Sequence, residues 1–137
     1  MPADAERAAE TREWLVRARQ DLRAADVLLG APTPLADVAM FHCQQAAEKA
    51  LKAFLAWHEV PFRKTHDIEE IGLSCRQRDE TLAALVDRAI DLTPFAWRFR
   101  YPGSIDVPPP DEARDARALA GAVYEAVAGR LPPEARP

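Results

Sequence analysis

The stretch from Met40 to His58, MFHCQQAAEKALKAFLAWH, constrains the fold of this chain more than any other. Plotted as a helix, its larger apolar side chains share one face, which must be buried. Further alanines beside His42 form a second non-polar side, so we expect a central helix with neighbours on both flanks. The apolar face consists of Met40, Cys43, Ala47, Ala50, Leu51, Phe54 and Leu55.

A narrow polar wedge remains on this helix. It contains two pairs at i,i+4 spacing, and such pairs stabilise a helix without serving any function. We therefore interpret the helix mainly as scaffold, with chemistry more strongly indicated where other segments approach it. The wedge consists of Gln45, Glu48, Lys49 and Lys52.

Composition indicates one globular, helical domain. The chain has 137 residues, of which 48% are hydrophobic and 29% charged, so residues 1–137 can form a single domain around one core. A net charge of −4 argues against binding nucleic acid through overall charge, although a local basic patch is compatible with it. Cys43 and Cys75 lack metal-ligand spacing, which favours a reduced, intracellular protein. Neither a leader-like segment nor a membrane-length apolar run occurs, so we expect a cytoplasmic protein.

Helical periodicity recurs along the chain, and strand signals are absent. A short connection at residues 31–34 predicts that the first two helices form an antiparallel hairpin. Thr93-Pro94 fits an N-cap followed by proline, which would restart or bend the fourth helix toward Tyr101. We therefore expect an all-α, antiparallel up-and-down bundle of four long helices plus one short helix, with its core between about residues 10 and 131. The predicted helices cover residues 10–29, 40–58, 66–76, 82–92 and 113–129.

Two surface features are expected to have no function. Glu13, Asp21 and Asp26 alternate with arginines on the first helix, which indicates a solvated face rather than a phosphate-binding one. The tail LPPEARP, residues 131–137, is expected to fray.

The first candidate for binding is the basic cluster Arg63-Lys64-Thr65-His66, which leads into the third helix. Exposed N–H groups and the helix dipole favour an anion at such a position, so a phosphate could bind there. The alternative is that Thr65 or Asp67 already caps this end and that His66 only bonds a neighbouring helix.

The second candidate is the run Trp97-Arg98-Phe99-Arg100-Tyr101-Pro102, in which two cations alternate with aromatic rings. Such a surface could hold a base and a phosphate. The alternative is that the rings are core and the arginines pair with acids. The third candidate is His42 with Lys49, for which we favour a structural interpretation.

No motif for a phosphate-binding loop, a zinc protease, a CxxC redox site or a nucleophile elbow occurs. The sequence therefore predicts no catalytic residue, metal or cofactor.

Three ordered motifs together resemble the HEPN domain family, whose name stands for higher eukaryotes and prokaryotes nucleotide-binding. They are FHCQQAAEKALKAFL, KTHDI and RYPG before a final helix. The resemblance implies a helical bundle, a homodimer and a minimal nucleotidyltransferase encoded nearby, often as a toxin–antitoxin pair. The residues that match the family's motifs are Gln45, Glu48, Lys49, Lys52, Thr65, His66, Arg100, Tyr101 and Pro102.

The chain departs from the family's ribonuclease members in one respect. Those members carry an arginine, four to six intervening residues and a histidine on a late helix. Here the histidines are His42, His58 and His66, and only two residues separate Arg63 from His66. The late-helix region offers arginine and tyrosine, and arginine is a poor proton shuttle near neutral pH.

Our prediction is therefore a protein that binds nucleotide or RNA phosphates, acts with a nucleotidyltransferase and lacks the family's usual ribonuclease activity. The predicted contacts are Lys49, His66, Arg98, Arg100 and Tyr101. One alternative is an active ribonuclease toxin with a divergent site, in which Arg100 meets His66 or His42 across two chains. Another is a structural helical adaptor. If the partner modifies this chain, Tyr101 or Tyr124 would supply the hydroxyl.

Overall fold

The structure is a computed structural model that describes residues 2–98 and 108–137. The described residues form five α-helices and three short 3₁₀ segments, with no strand among them, which confirms the predicted all-α class. The helices are α1 (Pro2–Leu29), α2 (Ala36–Trp57), α3 (Ile68–Arg78), α4 (Ala83–Ala89) and α5 (Pro110–Ala128). The 3₁₀ segments are Glu80–Leu82, Ile90–Ala96 and Pro133–Ala135.

Helix α2 is the central element, as its two non-polar sides predict. Fifteen of its 22 residues are buried, and it packs against α1, α3 and α5. Its alanines let neighbouring backbones approach closely, because they add little side-chain volume at the contact. The core therefore lies around α2.

The first two helices form the predicted antiparallel hairpin. At the turn, the Leu35 amide donates to the Leu28 carbonyl at 3.1 Å. Near the other end, the Arg7 guanidinium lies 4.0 Å from the centre of the Trp57 ring. Early residues of α1 thus lie beside late residues of α2.

The relative lengths of the helices differ from the prediction. Three helices are long, with 28, 22 and 19 residues, and two are short, with 11 and 7. The predicted fourth helix is short because residues Ile90–Ala96 adopt a 3₁₀ conformation. Pro94 lies inside that segment and supplies no N–H for an α-helical hydrogen bond, so the α-helix does not continue.

Two local signals position the segment between α2 and α3. Glu59 adopts a left-handed conformation with φ of 56°, and the Val60 amide donates to the Leu55 carbonyl at 2.9 Å, which ends α2 in a Schellman-type turn. At the start of α3, the Asp67 carboxylate accepts from the Glu69 amide at 3.0 Å, so Asp67 is the N-cap. The segment from His58 to Asp67 is therefore fixed at both ends.

The expectation that the tail frays is wrong. Leu131 and Ala135 are buried, and the segment Pro133–Ala135 packs against α1. The Arg12 guanidinium also donates to the Glu134 carbonyl. Apolar burial and this hydrogen bond hold the tail on the bundle.

None of the helices in the described part of the chain is long and apolar enough to cross a membrane.

Candidate functional site

The most unusual polar arrangement in the described residues is a pair formed by Glu48 on α2 and His66 just before α3. The Glu48 carboxylate oxygen Oε1 lies 2.7 Å from His66 Nδ1. Only 3% of the Glu48 side chain is exposed, whereas 63% of the His66 side chain is. An ionised carboxylate can only accept hydrogen bonds, so Nδ1 carries the proton. The Nε2 atom is then left to bond something outside the protein.

Glu48 is held by two further donors. Lys52 Nζ lies 2.9 Å from Oε2, and Gln44 Nε2 lies 3.1 Å from Oε1. Lys52 and Gln44 also bond the segment before α3, because they donate to the carbonyls of Thr65 at 3.1 Å and of His66 at 3.0 Å. This polar network fixes the position of the imidazole as well as its proton.

The polar wedge of α2, which we interpreted as scaffold, is thus mostly buried. Two of its residues, Glu48 and Lys52, hold His66 and the segment before it in place. Glu48 and Lys52 form the predicted i,i+4 pair, but both are almost completely buried, with side chains only 3% and 8% exposed. Burying two charges is expensive unless their hydrogen bonds are satisfied, and here the surrounding amides and carbonyls satisfy them.

A second carboxylate and histidine lie between α1 and α2. Asp21 is contacted by His42 Nδ1 at 2.8 Å and by Lys49 Nζ at 2.6 Å. Asp21 is only 8% exposed, so its assignment to a solvated face is wrong. Its position three residues after Ala18 and four before Ala25, both of them core residues, is the signal that could have found it. The predicted phosphate contact Lys49 is bound to this carboxylate, and it shares no hydrogen bond with His66.

The start of α3 is already capped. This agrees in part with the alternative interpretation of the basic cluster at residues 63–66, in which Thr65 or Asp67 caps the helix. Asp67 caps the helix, Thr65 Oγ1 accepts from the Asp67 amide at 3.1 Å, and the Ile68 amide donates to Thr93 Oγ1 at 3.1 Å. Arg63 pairs with Glu70 at 2.6 Å. An anion at this position would therefore depend on the His66 and Lys64 side chains rather than on the helix end.

The second basic cluster lies only partly within the described residues. Arg98 is exposed, and its amide donates to the Pro94 carbonyl at 2.8 Å. The hydrogen bond between Thr93 and Ile68 fastens the segment that leads to Arg98 beside the start of α3. Arg100, Tyr101 and Pro102 lie outside the described residues.

The two cysteines and His58 have environments unlike that of His66. Burial raises the pKa of Cys43 and of Cys75 to about 12, so both thiols stay protonated and unreactive. Burial and the neighbouring Arg78 and Arg7 lower the pKa of His58, whose Nδ1 accepts from Arg78 Nε at 3.3 Å. Within residues 2–98 and 108–137, no three His, Cys, Asp or Glu side chains group as a metal site would require.

The hydrogen-bond geometry defines an all-helical protein in which a buried acid, lysine and amide orient one exposed histidine. The HEPN domain family matches residues 11–131 of the chain, and the chain belongs to that family. The fold is also similar to the crystal structure of TT1696 from Thermus thermophilus, with a TM-score of 0.75 and 29% sequence identity. That similarity covers 88% of this chain and 98% of TT1696. The search among curated proteins returned no match.

Gln44 is the member of this polar network that the sequence analysis missed. It lies four residues after Met40 and three before Ala47, so its helical position is on the apolar face. A polar residue at an apolar position is a recognisable sign of a buried hydrogen bond.

Proposed function

We propose that this HEPN protein binds the phosphate groups of nucleotides or RNA and acts with a minimal nucleotidyltransferase, without the ribonuclease activity of the family's Arg-x4-6-His members. The observation that carries the proposal is the exposed His66 ring, whose Nδ1 is bound to the buried carboxylate of Glu48 at 2.7 Å. An imidazole oriented in this way presents Nε2 to solvent at a fixed position. A phosphate at Nε2 stabilises the imidazolium form, in which both ring nitrogens donate.

Charge near His66 supports an anionic ligand. Lys64, two residues earlier, is exposed and forms no ion pair within the described residues. Arg98 follows Thr93 by five residues, and the Thr93 hydroxyl accepts from the Ile68 amide at the start of α3. Arg100 and Tyr101 would add to this surface, and Lys49 would take part only if a phosphate drew it from Asp21.

Direct binding tests the proposal. A fluorescently labelled short single-stranded RNA, with ATP as competitor, is titrated with the wild-type chain while its anisotropy is recorded. Loss of one charge-assisted hydrogen bond in His66→Ala should weaken binding by about ten-fold or more. His58→Ala is the matched control, because His58 is half-buried and bonded to Arg78 instead of a carboxylate. Equal affinity of wild type and His66→Ala, or no binding by the wild type, would contradict the proposal.

The partner and the homodimer are proposals that the family relationship supports. The adjacent reading frame should encode a small nucleotidyltransferase, and the two products should co-purify when expressed together. Light scattering on the purified chain should give twice the monomer mass. A chain that is monomeric and does not associate with its neighbour's product would exclude this part of the proposal.

One observation favours an active ribonuclease as the second candidate. A carboxylate that orients an imidazole is also the arrangement of a general base, and His66 Nε2 is accessible to a substrate. If the wild type cleaves RNA and both His66→Ala and Arg100→Ala abolish cleavage, the ribonuclease interpretation replaces the binding one. Intact RNA after prolonged incubation excludes it.

A further inference from the structure

A groove of about 910 Å³ lies between the first half of α1 and the segment that follows α2. Trp14 and Phe62 line it and pack against each other edge-to-face, with ring centres 5.9 Å apart, so the two rings form one aromatic platform. Its size falls within the range of small-molecule sites in proteins.

The floor of this groove is connected to His66. Lys52 Nζ lies 5.5 Å from the centre of the Trp14 ring and 5.8 Å from that of Phe62. The same ammonium bonds Glu48 Oε2 at 2.9 Å, and Glu48 Oε1 bonds His66 Nδ1 at 2.7 Å. One buried carboxylate therefore links the groove to the exposed imidazole.

The far side of the groove reaches the proposed phosphate position. Lys64 lines the groove and precedes His66 by two residues. Their Cα atoms can therefore be at most about 7 Å apart. A single ligand can contact both.

Charge in the groove is arranged unequally. Glu6 and Glu10 line the α1 wall, are exposed and form no ion pair within the described part of the chain. Lys64, on the opposite wall, is the cation without such a pair, since Lys52 bonds Glu48 and Arg7 lies near Asp4 and Glu59. Carboxylates repel phosphate and accept hydrogen bonds from amino groups, so an aromatic ring with N–H donors fits the α1 wall and a phosphate fits the Lys64 side.

We infer that the groove lined by Trp14 and Phe62 binds the aromatic base of a nucleotide whose phosphate lies at His66, an inference that rests on the proposed function. The ring of the base contacts this aromatic platform, and its amino edge faces Glu10. Stacking of this kind tolerates different bases, because every base has a π-face.

The experiment compares two labelled RNAs of equal length and equal phosphate number, one an oligoadenylate and the other an abasic ribose-phosphate strand. The wild type should bind the oligoadenylate about five-fold or more tightly than the abasic strand. Trp14→Leu keeps apolar bulk and should lower oligoadenylate binding to the abasic level while leaving abasic binding unchanged. Trp14→Phe should retain most of the preference, and Phe41→Leu, a change to a ring outside the groove, should retain all of it.

Three results would overturn the inference. The first is equal wild-type affinity for both strands, and the second is a Trp14→Leu variant that keeps its preference for the oligoadenylate. The third is a Trp14→Leu variant whose affinity falls equally for both strands. His66→Ala separates this inference from the proposed function. If His66→Ala weakens both strands and the wild type shows no preference between them, phosphate binding stands and the base subsite fails. If His66→Ala changes neither affinity, the proposed function fails and the inference fails with it.

Discussion

The pair Asp21–His42 and the pair Glu48–His66 use the same chemistry in two different settings. In each, a carboxylate oxygen lies within 2.8 Å of an imidazole Nδ1 and the other oxygen bonds a lysine. The first pair joins α1 to α2 along the hairpin. The second joins α2 to the segment before α3.

The two groups differ in which side chain is exposed: the lysine is more buried in the Glu48 group, whereas the histidine is more buried in the Asp21 group. Lys52 is 8% exposed against 23% for Lys49, whereas His66 is 63% exposed against 28% for His42. The Glu48 network therefore places its acid and its lysine deeper and its imidazole further out. This combination fixes a ring that solutes can reach, whereas the Asp21 group mainly ties two helices together.

Removal of each carboxylate gives the largest predicted contrast. Glu48→Ala leaves the buried Lys52 ammonium without its counter-charge, which we expect to lower the free energy of unfolding by about 3–5 kcal/mol. Asp21→Ala leaves partners that can turn toward water, so about 1–2 kcal/mol is expected. Urea denaturation of both variants measures the two losses. If Asp21→Ala costs as much as Glu48→Ala, burial of the lysine is not the distinguishing feature.

Removal of each lysine should give the next contrast. Lys52→Met keeps the apolar stem but leaves Glu48 and the Thr65 carbonyl short of a donor, and a loss of about 2–3 kcal/mol is expected. Lys49→Met removes a partly exposed ion pair and should cost at most about 1 kcal/mol. The same denaturation experiment compares them, and the reverse order would show that Lys52 is not the more strongly coupled cation.

Sequence reasoning found the helical elements and part of the site, because these are local signals. The apolar periodicity of α2, the Asp67 cap and the Glu48–Lys52 spacing involve residues within a few positions of each other, and the structure contains all three. Glu48 and His66 are 18 positions apart. Their contact depends on how the chain turns after Glu59, which no local pattern encodes.

The same distinction explains the errors. Asp21 was assigned by the charges around it, whereas its burial depends on His42 and Lys49 of the next helix. The tail was assigned by its position at the terminus, whereas its order comes from packing on α1. In both cases a tertiary contact overrides a local preference.

Gln44 allows the anchoring function of the Glu48 network to be tested separately from its charge. Gln44→Leu removes the donor to the His66 carbonyl and should cost about 1–2 kcal/mol. Hydrogen exchange of the Asp67 and Ile68 amides, which donate to Thr65 Oγ1 and Thr93 Oγ1, should accelerate, because this part of the chain loses one of its attachments to α2. Asp21→Ala is the control, since its contacts lie between α1 and α2. Unchanged exchange of these amides in Gln44→Leu would show that the bonds from Lys52 and Glu48 are enough to hold the segment.

His58 provides a reference for both pairs, because Arg78 rather than a carboxylate bonds its ring. Burial and Arg78 lower the pKa of His58 from its ordinary value of 6.5, so the unfolded chain binds this proton at higher pH than the folded chain does. The stability that goes with neutral His58 is therefore fully present above pH 6.5 and is lost as the pH falls toward the folded pKa. His58→Gln should show a smaller loss of unfolding free energy between about pH 7.5 and 5.5 than the wild type, whatever its absolute stability. An equal or larger loss in the variant would mean that burial and Arg78 do not disfavour the charged His58 ring.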